Sequence, residues 1–181
     1  MGAALTQAAI DAGHDVIVVS GPVGIRYPDA AKVIDVVTTD EMLECATRVF
    51  KECEGAIGAA APCDYMPRFV EESKIAKTGE ALVLELIETP DIVATLGQTK
   101  RNDQWVVGFA LETEDRRFRA TVKLEKKHCD MIVSNGPQAI DAADNEVELL
   151  DAKGHLVESI RGDKPHVAQR LLEHINQLLV K

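Results

Sequence analysis

Apolar residues along this chain fall into two alternating patterns. Short β-branched or small-residue runs at "DVIVVS" (15–20), "KVIDVV" (32–37), "GAIGAAA" (55–61), "WVVGFAL" (105–111) and "DMIVSN" (130–135) read as strands. The first and third are expected to be buried on both faces, as in a parallel sheet. Helical spacing separates them. Residues 2–12 form a predicted helix stopped by Gly13. Thr38 and Glu41 have capping-box spacing ahead of an i, i+3, i+4 stripe of Met42, Cys45, Ala46, Val49 and Phe50. Thr89-Pro90-Asp91 reads as a helix start, with Thr89 as N-cap and Pro90 at N1. Further helices are predicted over 114–127 and from Pro165 to residue 180.

Two hairpins complete the pattern. "ALVLELIE" (81–88) alternates and is predicted to pair with residues 74–77 across "TGE". "NEVELLDAKGHLVESI" reads as a closing hairpin that turns at residues 151–154. Strand–helix alternation with apolar strands predicts an α/β class: a three-layer, Rossmann-like, doubly wound sheet, mostly parallel, with a protruding hairpin. One domain over residues 1–181 is expected. The glycines and alanines of "GAIGAAA" are expected to leave room for something to lie close against the backbone.

Composition narrows the chemistry. The formal net charge is −10, with 28% charged residues. That argues against general affinity for nucleic acid or anionic membranes, so a bound anion must meet a locally basic site. No apolar run approaches the roughly 18 residues of a membrane span, and the first residues lack a signal-peptide pattern. Cys45, Cys53, Cys63 and Cys129 show no CxxC spacing. Reduced thiols in the cytoplasm are the simplest account.

Familiar motifs are missing: GxGxxG, the GxxxxGK[ST] phosphate loop and HExxH do not occur. Tyr27 and Tyr65 lack a lysine four residues on, and the five histidines are scattered, so no metal site is assigned. Cys63 reads as a small filler rather than a nucleophile. Asp64 lies just past a predicted strand end, where open α/β sheets bind ligands. Aspartate also makes turns there, and position alone leaves both readings open. Lys74 and Lys77 lie on the predicted hairpin, and Lys123 and Lys127 are spaced i, i+4. Such lysines are commonly solvated. In an acidic chain a clustered set would instead suit a polyphosphate, joined by the N–H groups of the helix start at Thr89-Pro90-Asp91.

In sequence order, "SGPV", "AAAPCDYMP", "KIAKTGE", "ELIETPDIV", "VGFALET", "KLEKKHCDMIVSN" and "DNEVELLD" resemble phosphopantothenoylcysteine synthetase (phosphopantothenate–cysteine ligase). The likeness covers nearly the whole chain. It implies a ligase of coenzyme A biosynthesis. A nucleoside triphosphate, CTP or ATP, taken with Mg2+, activates the carboxylate of 4′-phosphopantothenate as an acyl-nucleotide, and the amine of cysteine then forms the amide. By position, the resemblance implies that Asp64 contacts the nucleotide and that Lys74 serves the first half-reaction. Pro90, Asp91, Ile92 and Val93, with Phe109, would line the nucleotide pocket, and Lys123 and Lys127 would bind the nucleotide. A homodimer through the protruding hairpin is expected, with phosphopantothenoylcysteine decarboxylase as a further partner and no flavin in this chain.

The chain departs from the family pattern at Ala76, where the family carries a basic residue. Its loop after "VSN" is short. The family's first strand, Gly-rich loop and an asparagine fall ahead of Met1, so weak nucleotide binding and little turnover are expected of these 181 residues. Two other readings stand beside the ligase: a non-catalytic nucleotide-binding α/β module, and an NAD(P)-dependent oxidoreductase, which the missing glycine fingerprint disfavours.

Overall fold

The computed structural model describes residues 1–111, 115–136 and 144–180. The predicted helix start at residue 114 and most of the loop after "VSN" lie outside the described residues. The elements in chain order are α1 (Gly2–Asp11), β1 (Ile17–Ser20), β2 (Lys32–Asp35), α2 (Thr39–Phe50), β3 (Gly55–Gly58), β4 (Tyr65–Pro67) and β5 (Leu86–Glu88). They continue with α3 (Ile92–Thr99), β6 (Trp105–Leu111), α4 (Arg116–Lys126), β7 (Met131–Asn135), β8 (Asp144–Asp151), β9 (Leu156–Asp163) and α5 (Lys164–Leu178).

The layers follow the expected architecture. A five-stranded sheet runs β3-β6-β7-β8-β9, parallel through β7 and antiparallel beyond it, and β1 pairs with β2 in parallel. On one face, α1 and α5 close a core of Leu5, Val107, Met131, Val133, Leu149, Leu171 and Ile175. On the other, α2, α3 and α4 cover Val106, Ala110, Ile132 and Leu150 with Phe50, Leu96 and Leu124. Alternation along β6 and β7 produces this division, since successive side chains point to opposite faces.

Several local signals act as predicted. The Thr38/Glu41 capping box forms with both reciprocal bonds. Pro165 lies in the first turn of α5 behind the N-cap Asp163, and the last hairpin turns at Gly154 with φ of +76°.

Three expectations are corrected. β1 and β3 are not fully buried: Ile17 is exposed and the four residues of β3 are half-buried. Each pairs on one side only among the described residues, because β1–β2 and the five-stranded sheet share no ladder. The hairpin has different strands. Tyr65–Pro67 pairs antiparallel with Leu86–Glu88, while residues 74–77 and 81–84 are irregular and exposed. A two-stranded excursion with no sheet to pack on gains too little to hold a long ladder. Finally, α3 starts later than predicted, with Asp91 rather than Thr89 as its N-cap. Thr89 is otherwise engaged: its hydroxyl donates to Cys63 O and its N–H to Asp64 O at 2.9 Å. A residue before proline also favours extended backbone over helix.

Candidate functional site

The parallel strands β3, β6 and β7 end on one edge of the sheet, the edge on which open α/β folds bind ligands. Past β3 the chain runs through small residues to Cys63 and Asp64, and the two Thr89 bonds fasten this stretch to the approach to α3. Asp64 is thereby fixed in the backbone while its side chain stays exposed. Cys63 is exposed as well, where a small filler residue is expected to pack.

Asp91 caps α3, its Oδ1 accepting from Ala94 N at 3.0 Å. Its other oxygen meets Lys127 Nζ at 3.1 Å. Burial works against the charged form of this carboxyl, yet the Ala94 amide and the Lys127 ammonium hold its pKa below the ordinary aspartate value. An acid at the start of a helix also answers the positive end of the helix dipole. Lys127 follows the last residue of α4, and its N–H donates to Lys123 O at 2.9 Å, so both lysines stand on the final turn of that helix. Asp91 and Lys127 are thus joined across two helices, with Lys123 one turn before Lys127 on α4.

The small residues of β3 do not leave an open floor. A Cβ at Gly58 would stand 2.4 Å from Val93 Cγ2, and one at Gly55 would stand 2.0 Å from Trp105 Cε2. Val93 and the indole therefore occupy the space that was expected to admit a ligand. Ile92 is buried in the core behind α3. Pro90 is half-buried ahead of the cap. Phe109 packs against the α1/α5 core, on the face opposite α3 and α4, so the structure does not bring it onto the face carrying Asp91 and Lys127. Lys74 lies on the exposed excursion, and no hydrogen bond or ion pair joins it to Asp64 or Lys127 among the described residues.

Three residues around this site escaped the sequence reading: Gly97, Lys100 and Asp130. Lys100 Nζ donates to His128 O at 2.9 Å and pairs with Asp130 Oδ2 at 2.5 Å. An isolated glycine inside a helical pattern was the one signal available for Gly97. Among the described residues no group of three or more His, Cys, Asp or Glu side chains comes together as a metal site. None of the helices described is long and apolar enough to cross a membrane.

Residues 1–179 match the family described as DNA/pantothenate metabolism flavoprotein, C-terminal domain. The chain belongs to this family. Among curated relatives, the coenzyme A biosynthesis bifunctional protein CoaBC of Haemophilus influenzae is 34% identical over 97% of this chain and 44% of its own length. The Bacillus subtilis protein of the same name is 36% identical over 98% of this chain and 45% of its own. A cysteine/cysteine sulfinic acid decarboxylase from an unknown prokaryote is 37% identical over 99% of this chain and 51% of its own. The chain spans about half the length of these relatives.

Solved structures agree on the fold of this family member. The C-terminal domain of a CoaBC protein superposes with a TM-score of 0.82 at 31% identity, covering 98% of this chain and 81% of that one. A DNA/pantothenate metabolism flavoprotein from Streptococcus pneumoniae has a TM-score of 0.84 at 21% identity, covering 97% and 86%. The resemblance read from the ordered motifs therefore holds at the level of family and fold.

Proposed function

We propose that this chain carries phosphopantothenate–cysteine ligase chemistry, and that the nucleoside triphosphate lies at the start of α3, beside the Asp91–Lys127 pair. The observation that carries the reading is the family match over residues 1–179, and the Asp91–Lys127 pair, which brings an ammonium to the start of α3, supports it. The fold is also that of a solved Cab2 mutant, H337A, in complex with phosphopantothenate-cysteine, at 16% identity and a TM-score of 0.66 over 82% of this chain and 53% of that one.

The reaction balances in two steps. A carboxylate oxygen of 4′-phosphopantothenate attacks the α-phosphorus of CTP or ATP, forming an acyl-nucleotide and releasing pyrophosphate. The cysteine amine then attacks the acyl carbon, forming the amide and releasing the nucleoside monophosphate and a proton. No protein nucleophile is required; positioning and charge stabilisation supply the rate. In this reading Lys123 and Lys127 meet the phosphates, Asp64 and the Pro90–Val93 segment border the nucleotide, and Lys74 closes over it to assist the first step. Phe109 would reach the nucleotide only around the sheet edge. Mg2+ would arrive as the complex of the triphosphate, which fits an edge offering isolated carboxylates rather than a cage.

The same reading includes a homodimer. Phe69, Val70, Leu82, Val83 and Leu84 are all exposed on the excursion between β4 and β5, more apolar surface than a lone arm tolerates in water. It also includes a cytoplasmic setting, which suits four free cysteines, and a phosphopantothenoylcysteine decarboxylase as partner. The test is release of pyrophosphate from CTP or ATP that depends on added 4′-phosphopantothenate. Nucleotide binding with no such release would leave the non-catalytic module as the better description.

A further inference from the structure

How Lys127 comes to stand at Asp91 depends on how closely α3 lies on the turn that ends α4. Gly97 is in the last turn of α3, and a Cβ there would lie 2.0 Å from Lys127 O and 3.0 Å from His128 O. Those are backbone atoms and have little freedom to yield. Glycine inside a helix costs roughly 1 kcal/mol relative to alanine, and close backbone approach is the reason for one here. Lys100, at the C-terminal end of the same helix, bonds His128 O and Asp130 Oδ2. Asp130 is itself tied to β6: its Oδ2 accepts from Val106 N at 2.8 Å and its N–H donates to Val106 O at 2.8 Å. His128, with φ of +52°, reverses the chain between α4 and β7 within this grip.

Lys127 is therefore held twice by one helix. The C-terminal end of α3 fixes its backbone through Gly97 and Lys100, and the N-terminal residue Asp91 takes its ammonium. We propose that Gly97 and Lys100 are positioning residues for Lys127, fixing its backbone so that the ammonium stands at the start of α3 to meet an anionic group of the nucleotide. The last clause rests on the function proposed above; the placement of Lys127 does not.

Competitive acetylation of the intact protein at pH 8, read by mass spectrometry, tests it. The acetylation ratio of Lys127 to the exposed neighbour Lys126 reports how firmly the Lys127 ammonium is held. The ratio is expected to rise by about fivefold in Lys100→Met and in Gly97→Ala, the scale set by a partly exposed ion pair, and to return to the parent value in Lys100→Arg. Mg-CTP and Mg-ATP are added in a second arm: protection of Lys127 and nucleotide affinity should weaken in the first two variants and recover in Lys100→Arg. A folded Lys100→Met or Gly97→Ala protein with the parent ratio overturns the proposal, as does Lys100→Arg behaving like Lys100→Met. A parent protein in which neither nucleotide protects Lys127 counts against the nucleotide reading alone, and the acetylation ratios still judge the positioning.

Discussion

Lys127 Nζ stands 3.1 Å from Asp91 Oδ2, joining the end of α4 to the residue that caps α3. The lysine side chain is 23% exposed and the aspartate 44%, so the pair is reachable from solvent yet restrained. The proposed nucleotide would meet this ammonium beside the start of α3.

Replacing Asp91 separates its two duties. Asp91→Ala removes the cap and should cost about 1 kcal/mol at pH 7, whereas Asp91→Asn keeps the cap and should cost little. The folded carboxyl titrates below its unfolded value, so its stabilisation is present above the unfolded pKa and is lost as pH falls through the folded one. Urea unfolding should show the Asp91→Ala deficit shrinking below about pH 4. A deficit that does not change between pH 7 and pH 3 contradicts this account of the charge.

Gly58 lets Val93 seat α3 on β3. Gly58→Ala should destabilise by about 1–3 kcal/mol, as overpacking does. Adding Val93→Ala should recover part of that loss, since the two sites share one space. Strictly additive losses in the double variant would show that Val93 is not what the glycine accommodates.

Lys74 is exposed and lies outside both cores. Lys74→Gln is expected to leave the unfolding midpoint unchanged while lowering pyrophosphate release by at least about tenfold, the loss from removing one hydrogen-bonding charge at a reacting centre. Release equal to the parent protein would remove Lys74 from the first half-reaction.

Much of this architecture was legible because local rules and tertiary packing agreed. The capping box at Thr38 and Glu41, the strand over β6 and the turn at Gly154 each have a signal within a few residues. The errors arose where distant residues decided the outcome. The start of α3 moved because Thr89 bonds Cys63 and Asp64, about 26 residues back. The glycines of β3 suggest ligand space from spacing alone, which shows neither Val93 nor Trp105 opposite them. The Asp91–Lys127 pair spans two helices, and Lys100 with Asp130 carried no motif at all. In the excursion between β4 and β5, alternation at residues 81–88 mimicked a strand, although only its last three residues form a ladder, with one more bond from Arg68 N to Glu85 O.

That excursion is also the expected dimer surface. Sedimentation at micromolar concentration should give a homodimer, and Val83→Glu, at a position 88% exposed, should shift it toward monomer without altering the fold. A monomeric parent protein at that concentration contradicts the assignment.

The most direct test of the central claim follows one atom. 4′-Phosphopantothenate labelled with 18O in its carboxylate is given to a stoichiometric amount of protein with cysteine and Mg-CTP or Mg-ATP, and the phosphorus-containing products are weighed by mass spectrometry. An acyl-nucleotide route leaves one 18O in the nucleoside monophosphate for each amide formed. Label in inorganic phosphate instead, or bound nucleotide with no label transferred, would contradict the account.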